Sequence, residues 1–305
     1  MTVSFRGVIP PVVLARHEDR SLDAASNERN LNRIIDAGVD GLFILGSSGE
    51  GVFCTPGERL DVIEHTMRVV DGRVPVLVGC IDTQTQRVIE HVQVAEQAGA
   101  AAVVVTAPFY ALGGPEQVEE HFRLIHAATS LPVFAYDIPV CVHVKLAPDM
   151  LLRLGQEGVI AGVKDSSGND VVFRLLVQAN EAAGRPLVLL TGHEVVVDGA
   201  YLGGADGAVP GLANVDPEGY VRQWKAAEAG DWDTVKKEQD RLATLMRVAM
   251  TATSLSGFGA GVGGFKAALT LLGVFASAQM PHPVAQLQAE EIETIRGVLL
   301  DTGLL

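Results

Sequence analysis

Residues 98–106 read AGAAAVVVT, in which Ala98-Gly99 closes a helical stretch and Ala102 to Thr106 follows as a compact apolar run. A glycine at that point supplies the left-handed residue that ends many helices. An unbroken β-branched run without polar alternation is the pattern of a parallel strand covered on both faces. The same punctuation recurs at 37–45, AGVDGLFIL, where Ala37-Gly38 precedes Gly41 to Leu45, and again where Leu202-Gly203 precedes Gly207 to Pro210. Working outward from these gives strands at Gly7 to Val13, Gly41 to Leu45, Val74 to Val78, Ala102 to Thr106, Val133 to Tyr136, Val159 to Val163, Leu187 to Leu190 and Gly207 to Pro210. Helical periodicity fills the intervals, as at Glu28 to Ala37, Pro56 to Val70, Gln84 to Ala98 and Gln117 to Ala128.

An α/β series of this length predicts a closed (β/α)₈ TIM barrel over residues 1–215. A doubly wound open sheet carries a glycine-rich fingerprint after its first strand, whereas here Leu14-Ala15-Arg16-His17 follows. The chain then turns helical, at Tyr220 to Ala229, Trp232 to Met246, Gly264 to Leu272 and Gln286 to Leu299, which predicts a C-terminal helical extension over 216–305.

The 305 residues are 48% hydrophobic and carry a net charge of -14, enough to build a substantial core and too acidic for a phosphate-backbone or anionic-lipid partner. A small anionic ligand stays open, because local N–H groups can make one pocket positive on an acidic protein. Cys54, Cys80 and Cys141 are odd in number and widely spaced, which predicts reduced thiols in a cytoplasmic protein rather than disulfides or a zinc site. The start of the chain, MTVSFRGVIPPVVLA, lacks an export signal, and no apolar run approaches the roughly 18 residues of a membrane span.

In a barrel of this kind chemistry sits where the strands end. Lys164, in GVKDSSG (162–168), stands there. An amine held out of water loses its proton more readily and becomes a nucleophile toward ketones, although the same lysine could snorkel to the rim or pair with Asp165. Tyr136, in YDIP (136–139), ends the preceding strand, facing the same cavity, and its phenol could move protons to and from substrate oxygen or serve as an ordinary core residue. Ser47 and Ser48, in GSSGE (46–50), form a small anion-binding turn suited to a carboxylate, a composition also common in plain loops. Tyr110, in PFY (108–110), is a second phenol that could join a proton relay. His193 and Glu194, in TGHE (191–194), could contact substrate; as neighbours on a turn they do not present the shared face that a metal pair needs, and no metal is expected. His143 could line the mouth or be structural, and Cys141 reads as an inert thiol.

GSSGE, PFY, YDIP, GVKDSSG and a late GGFKAAL (263–269), in register along nearly the whole chain, resemble the dihydrodipicolinate synthase and N-acetylneuraminate lyase superfamily. That resemblance implies a homotetramer, a dimer of dimers, acting on pyruvate or a 2-keto acid. It implies that Lys164 forms the imine with no separate cofactor, that Tyr136 relays protons, and that Ser47 and Ser48 hold the keto-acid carboxylate. It further implies that Tyr110 enters the relay of a neighbouring subunit, that Gly192 and Val209 line the pyruvate end, and that His193 and Glu194 lie where members choose substrates.

Departures narrow the reading. The synthases carry an arginine after their YN-P motif that binds the second substrate's carboxylate; here Cys141 stands there between Val140 and Val142. Losing that charge-assisted pair argues against the lysine-biosynthetic synthase. The small hydroxyl residue of the sialic acid lyases is also missing near Val142, and Asp137 replaces the usual asparagine. The expectation is a Schiff-base aldolase or lyase acting on pyruvate or a 2-keto-3-deoxy sugar acid. The alternatives are a keto-acid dehydratase using the same imine, or a barrel that binds a small acid without turnover.

Overall fold

The computed structural model describes residues 4–305. Eight parallel strands are present: β1 (Gly7–Val8), β2 (Leu42–Ile44), β3 (Val76–Gly79), β4 (Ala102–Thr106), β5 (Val133–Asp137), β6 (Gly162–Asp165), β7 (Val188–Thr191) and β8 (Gly207–Ala208). They run in the order β1-β8-β7-β6-β5-β4-β3-β2. A parallel bridge between Pro11 and Phe43, with Val12 N–H donating to the Phe43 carbonyl at 2.8 Å, joins the two ends and closes the barrel. The TIM barrel with its C-terminal helices is the fold read from the sequence.

Between the strands lie helices α1 (Ala24–Asp36), α2 (Pro56–Val70), α3 (Thr85–Gln97), α4 (Pro115–Ala127), the single turn α5 (Pro139–Val142), α6 (Pro148–Gln156), α7 (Asp170–Ala182) and α8 (Val197–Gly203). Their starts follow from capping chemistry. Asp23 accepts the Ser26 N–H at the head of α1, so that helix begins four residues before the apolar stripe at Glu28 suggested. Thr55 and Glu58 form a reciprocal capping box at α2, with Pro56 in the first turn, where a missing N–H costs nothing. Gly38 and Gly99 adopt the left-handed conformation expected of them, at φ +90° and +84°. After α8 the left-handed residue is Gly204, φ +98°, not Gly203, which is still helical.

Strand boundaries moved most at β1 and β6. Only Gly7–Val8 of the expected Gly7 to Val13 is a regular strand, because Pro10 and Pro11 have no N–H to give to a ladder. β6 starts three residues later than expected and continues through Lys164 and Asp165, which pair in register with Tyr136 and Asp137 of β5.

Helix α9 (Pro217–Glu228) follows β8 and packs against β1 and α8, and α10 (Trp232–Leu245), α11 (Phe258–Leu271) and α12 (Ala289–Asp301) complete the helical C-terminal part. The glycine-rich FGAGVGG opening α11 is helical, contrary to the expected start at Gly264, because the glycines permit close packing. A Cβ on Gly264 would run into the Val248 carbonyl. On the inner side, the Phe265 ring lies against Gly211, in the loop that follows β8 at the barrel mouth.

Candidate active site

Lys164 and Tyr136 are cross-strand partners, so their side chains leave β6 and β5 on the same face, toward the barrel interior. Lys164 is 5% exposed and its Nζ lies 3.9 Å from the centroid of the Tyr136 ring and 4.9 Å from that of Phe43. Among the described residues it has no carboxylate within ion-pair distance. The pairing with Asp165 left open by the sequence does not occur: Asp165 interacts with Lys145 Nζ at 3.6 Å instead.

Tyr136 is buried, its ring edge-on to Phe43, and its hydroxyl is 3.4 Å from Ser47 Oγ. Ser47 and Ser48 are half-buried in the turn after β2, and Ser48 Oγ lies close to Gly211. Lys164, Tyr136 and the two serines thus converge at one mouth. Gly192 closes the opposite wall: its N–H donates to the Asp165 carbonyl at 2.6 Å, and a Cβ there would collide with Ser166 Oγ. Val209, 4% exposed, donates its N–H to the Thr191 carbonyl at 2.8 Å and seals the β7–β8 side.

Glu194 is half-buried, with its Oε1 accepting the Leu212 N–H at 2.5 Å. Burial pushes its carboxyl up to about 7, against the pull of the Leu212 N–H and then of the Lys164 charge. His193 turns away from this wall, Nδ1 2.9 Å from Asp170 at the start of α7. Cys141 is exposed on α5; desolvation holds its thiol above the ordinary value while the Lys164 charge pulls it down. His143 is exposed in the left-handed position ending α5, φ +57°. Tyr110 stands off the chain, 93% exposed and at φ +76°, and does not join the other groups. Among the described residues no cluster of three or more His, Cys, Asp or Glu side chains is arranged to hold a metal, and no helix is long and apolar enough to cross a membrane.

Two ionic networks had no place in the sequence reading. Asp137, completely buried, is paired with Lys145 and accepts the Leu146 N–H at 3.2 Å, so the aspartate that replaces asparagine is accounted for by a cation eight residues on. Burial still raises its carboxyl above the ordinary value, with Lys145 opposing. The other joins Arg16, Glu50 and Lys266. Its one signal in the sequence is that Lys266 is the sole charged residue of FGAGVGGFKAALTL.

The sequence profile described as the dihydrodipicolinate synthetase family matches residues 4–301. The chain belongs to this family. An uncharacterized DapA-like lyase of Halobacterium salinarum is 35% identical over 99% of this chain and 96% of its own. A 4-hydroxy-tetrahydrodipicolinate synthase of Phenylobacterium zucineum is 33% identical, covering 79% and 81%. A probable 2-dehydro-3-deoxy-D-pentonate aldolase of Escherichia coli, YjhH, is 29% identical, covering 82% and 85%. Among solved structures, YagE of Escherichia coli K12, a member of the dihydrodipicolinic acid synthase family crystallised with pyruvate, superposes with a TM-score of 0.93 at 28% identity, covering 99% of both chains. Members of this family are lyases and aldolases, the coarse class to which this chain belongs.

Proposed function

We propose that the protein is a class I aldolase that cleaves a 2-keto-3-deoxy sugar acid to pyruvate and an aldehyde through an imine on Lys164. The observation that carries the reading is a buried amine with no carboxylate partner among the described residues, set against a phenol whose hydroxyl meets the serine turn. The Lys164 amine would add to the C2 ketone and expel water. Tyr136 would give its phenolic proton to the departing water and, as phenolate, take the C4 hydroxyl proton as the C3–C4 bond breaks, leaving the electron pair on the imine carbon skeleton as an enamine. Protonation at C3 and hydrolysis would release pyruvate and restore the amine. Ser47 and Ser48 would hold the carboxylate, with Gly192 and Val209 shaping the pyruvate end.

Glu194, whose carboxyl burial pushes up to about 7, is suited to hydrogen-bond a substrate hydroxyl, and His193 would act further out. Tyr110, exposed on its own protomer, would act in a neighbouring site of a homotetramer. The aldolase name of one relative supports cleavage over dehydration, and an uncharged Cys141 at the position of the synthases' arginine weighs against a synthase. Borohydride reduction in the presence of pyruvate should add one reduced pyruvyl group at Lys164, found by intact mass and peptide mapping. An unmodified mass defeats the reading. Release of pyruvate from a panel of 2-keto-3-deoxy acids supports cleavage, and products that keep all the carbons, or lose them only as carbon dioxide, assign the dehydratase instead.

A further inference from the structure

Glu50 closes the turn that carries Ser47 and Ser48, and Lys266 sits in the middle of α11; both are completely buried, and Lys266 Nζ forms an ion pair with Glu50 Oε1. Arg16, 3% exposed, reaches the other Glu50 oxygen from Nε at 2.6 Å. Lys266 donates a hydrogen bond to the Gln279 carbonyl at 2.8 Å, and Arg16 donates others to the Arg20 carbonyl at 2.8 Å and to Glu58 at 2.9 Å. Two cations thus face two carboxylates, and the cluster is balanced.

The turn it holds is wound tightly. Leu45 and Glu50, at its two ends, both have φ +55°, a left-handed conformation that side-chain residues keep only where their surroundings over-determine it. A Cβ on Gly51 would run into the Leu45 carbonyl, so the chain has doubled back on itself. Between those ends the Ser47 hydroxyl faces Tyr136 at 3.4 Å and Ser48 faces Gly211, the residue against which Phe265 of α11 packs. A buried ion cluster adds little to stability over an apolar filling of the same shape, but its bonds are directional and fix the group they hold.

We infer that Lys266 and Arg16 are positioning residues for the keto-acid carboxylate: by clamping Glu50 they hold the Ser47–Ser48 turn in its binding conformation, so the C-terminal helices complete the substrate site. This rests on the reading of Ser47 and Ser48 as the carboxylate cradle. Lys266 and Arg16 touch no substrate; they act through Glu50.

The test compares two ketones in borohydride trapping at Lys164, pyruvate with a carboxylate and acetone without one, each titrated against wild type, K266M, E50Q and E50Q/K266M. The concentration of pyruvate for half-trapping should rise about tenfold or more in the variants, while that of acetone stays within about twofold of wild type. General damage to the barrel would raise both together, and that result overturns the inference, as does an unchanged pyruvate midpoint in a folded variant. The double variant leaves neither partner of the pair as an uncompensated charge and carries the comparison if K266M fails to fold. A wild type that traps no pyruvate at Lys164 would remove the aldolase reading itself, a different failure from equal trapping by wild type and K266M.

Discussion

Glutamine at position 194 should make the protein less sensitive to alkali. The Glu194 carboxyl, ordinarily near 4.5, is pushed up to about 7 by burial, with the Leu212 N–H and Lys164 resisting. A carboxyl whose folded value is raised binds its proton more tightly in the folded state. Its contribution is fully present below the unfolded value and is lost as pH climbs from about 4.5 to about 7. The span corresponds to about 3 kcal/mol. Glutamine keeps an oxygen for the 2.5 Å bond from Leu212 and removes the titration. Relative to wild type, E194Q should therefore gain up to about 3 kcal/mol between about pH 4 and pH 8, or about 5 °C in Tm for a chain of this length. Replacing Lys164 by Met withdraws the attractive charge, so the wild-type loss should shift to higher pH in K164M. The assay is thermal unfolding by calorimetry across that range. A Tm difference between E194Q and wild type that stays constant with pH would refute the reasoning, because no proton would then be linked to folding at this position.

Three further outcomes follow from contacts in the site. G192A drives a methyl group into Ser166 beside the end of β6; it should cost about 1–3 kcal/mol in denaturant unfolding and weaken pyruvate trapping about tenfold or more. K145M strips the partner from the buried Asp137, and because the lysine side chain is 33% exposed the expected cost is about 2 kcal/mol, below the range for a fully buried pair; D137N/K145M should recover most of it in a double-mutant cycle. Y136F leaves Lys164 free to form a trappable imine but removes the proton carrier, so kcat on a cleavable keto acid should drop about a hundredfold or more while the borohydride adduct persists.

The barrel was legible because a parallel strand buried on both faces leaves an apolar run that survives in one dimension. Val103, Val104 and Val105, short, β-branched and preceded by the Ala98-Gly99 helix stop, are such a run. Legibility failed where a second requirement overrode that pattern. Pro10 and Pro11 stop the ladder of β1, whereas Lys164 and Asp165, charged residues that look like a loop, extend β6 because Tyr136 and Asp137 pair with them. The glycines of α11 signalled a break and instead let the helix approach Val248. Of the candidate site, the convergence of Lys164, Tyr136 and Ser47 could be read because each stands at a strand end within a short motif. His193 could not be resolved from Glu194, since the turn after β7 sends one toward Asp170 and the other toward Leu212. The Arg16–Glu50–Lys266 cluster could not be assembled for a plainer reason: Glu50 and Lys266 lie far apart in the chain, and no local pattern joins them.

Adjacent residues of β6 illustrate how the fold decides chemistry that composition leaves open. Lys164 and Asp165 neighbour each other in sequence, and an ion pair between them would have tied up the amine. A strand alternates its side chains between faces, so consecutive residues cannot share one. Lys164 goes inward with Tyr136, and Asp165 goes outward with Asp137. Two carboxylates on the outer face need a cation, and Lys145 supplies it, paired with Asp137 and 3.6 Å from Asp165. Because the outward carboxylates are satisfied there, the inward amine is left among aromatic rings with a phenol and a serine hydroxyl at hand. The network that replaces the usual asparagine therefore keeps Asp137 and Asp165 turned toward Lys145 and away from Lys164, whose amine has no ion-pair partner among the described residues.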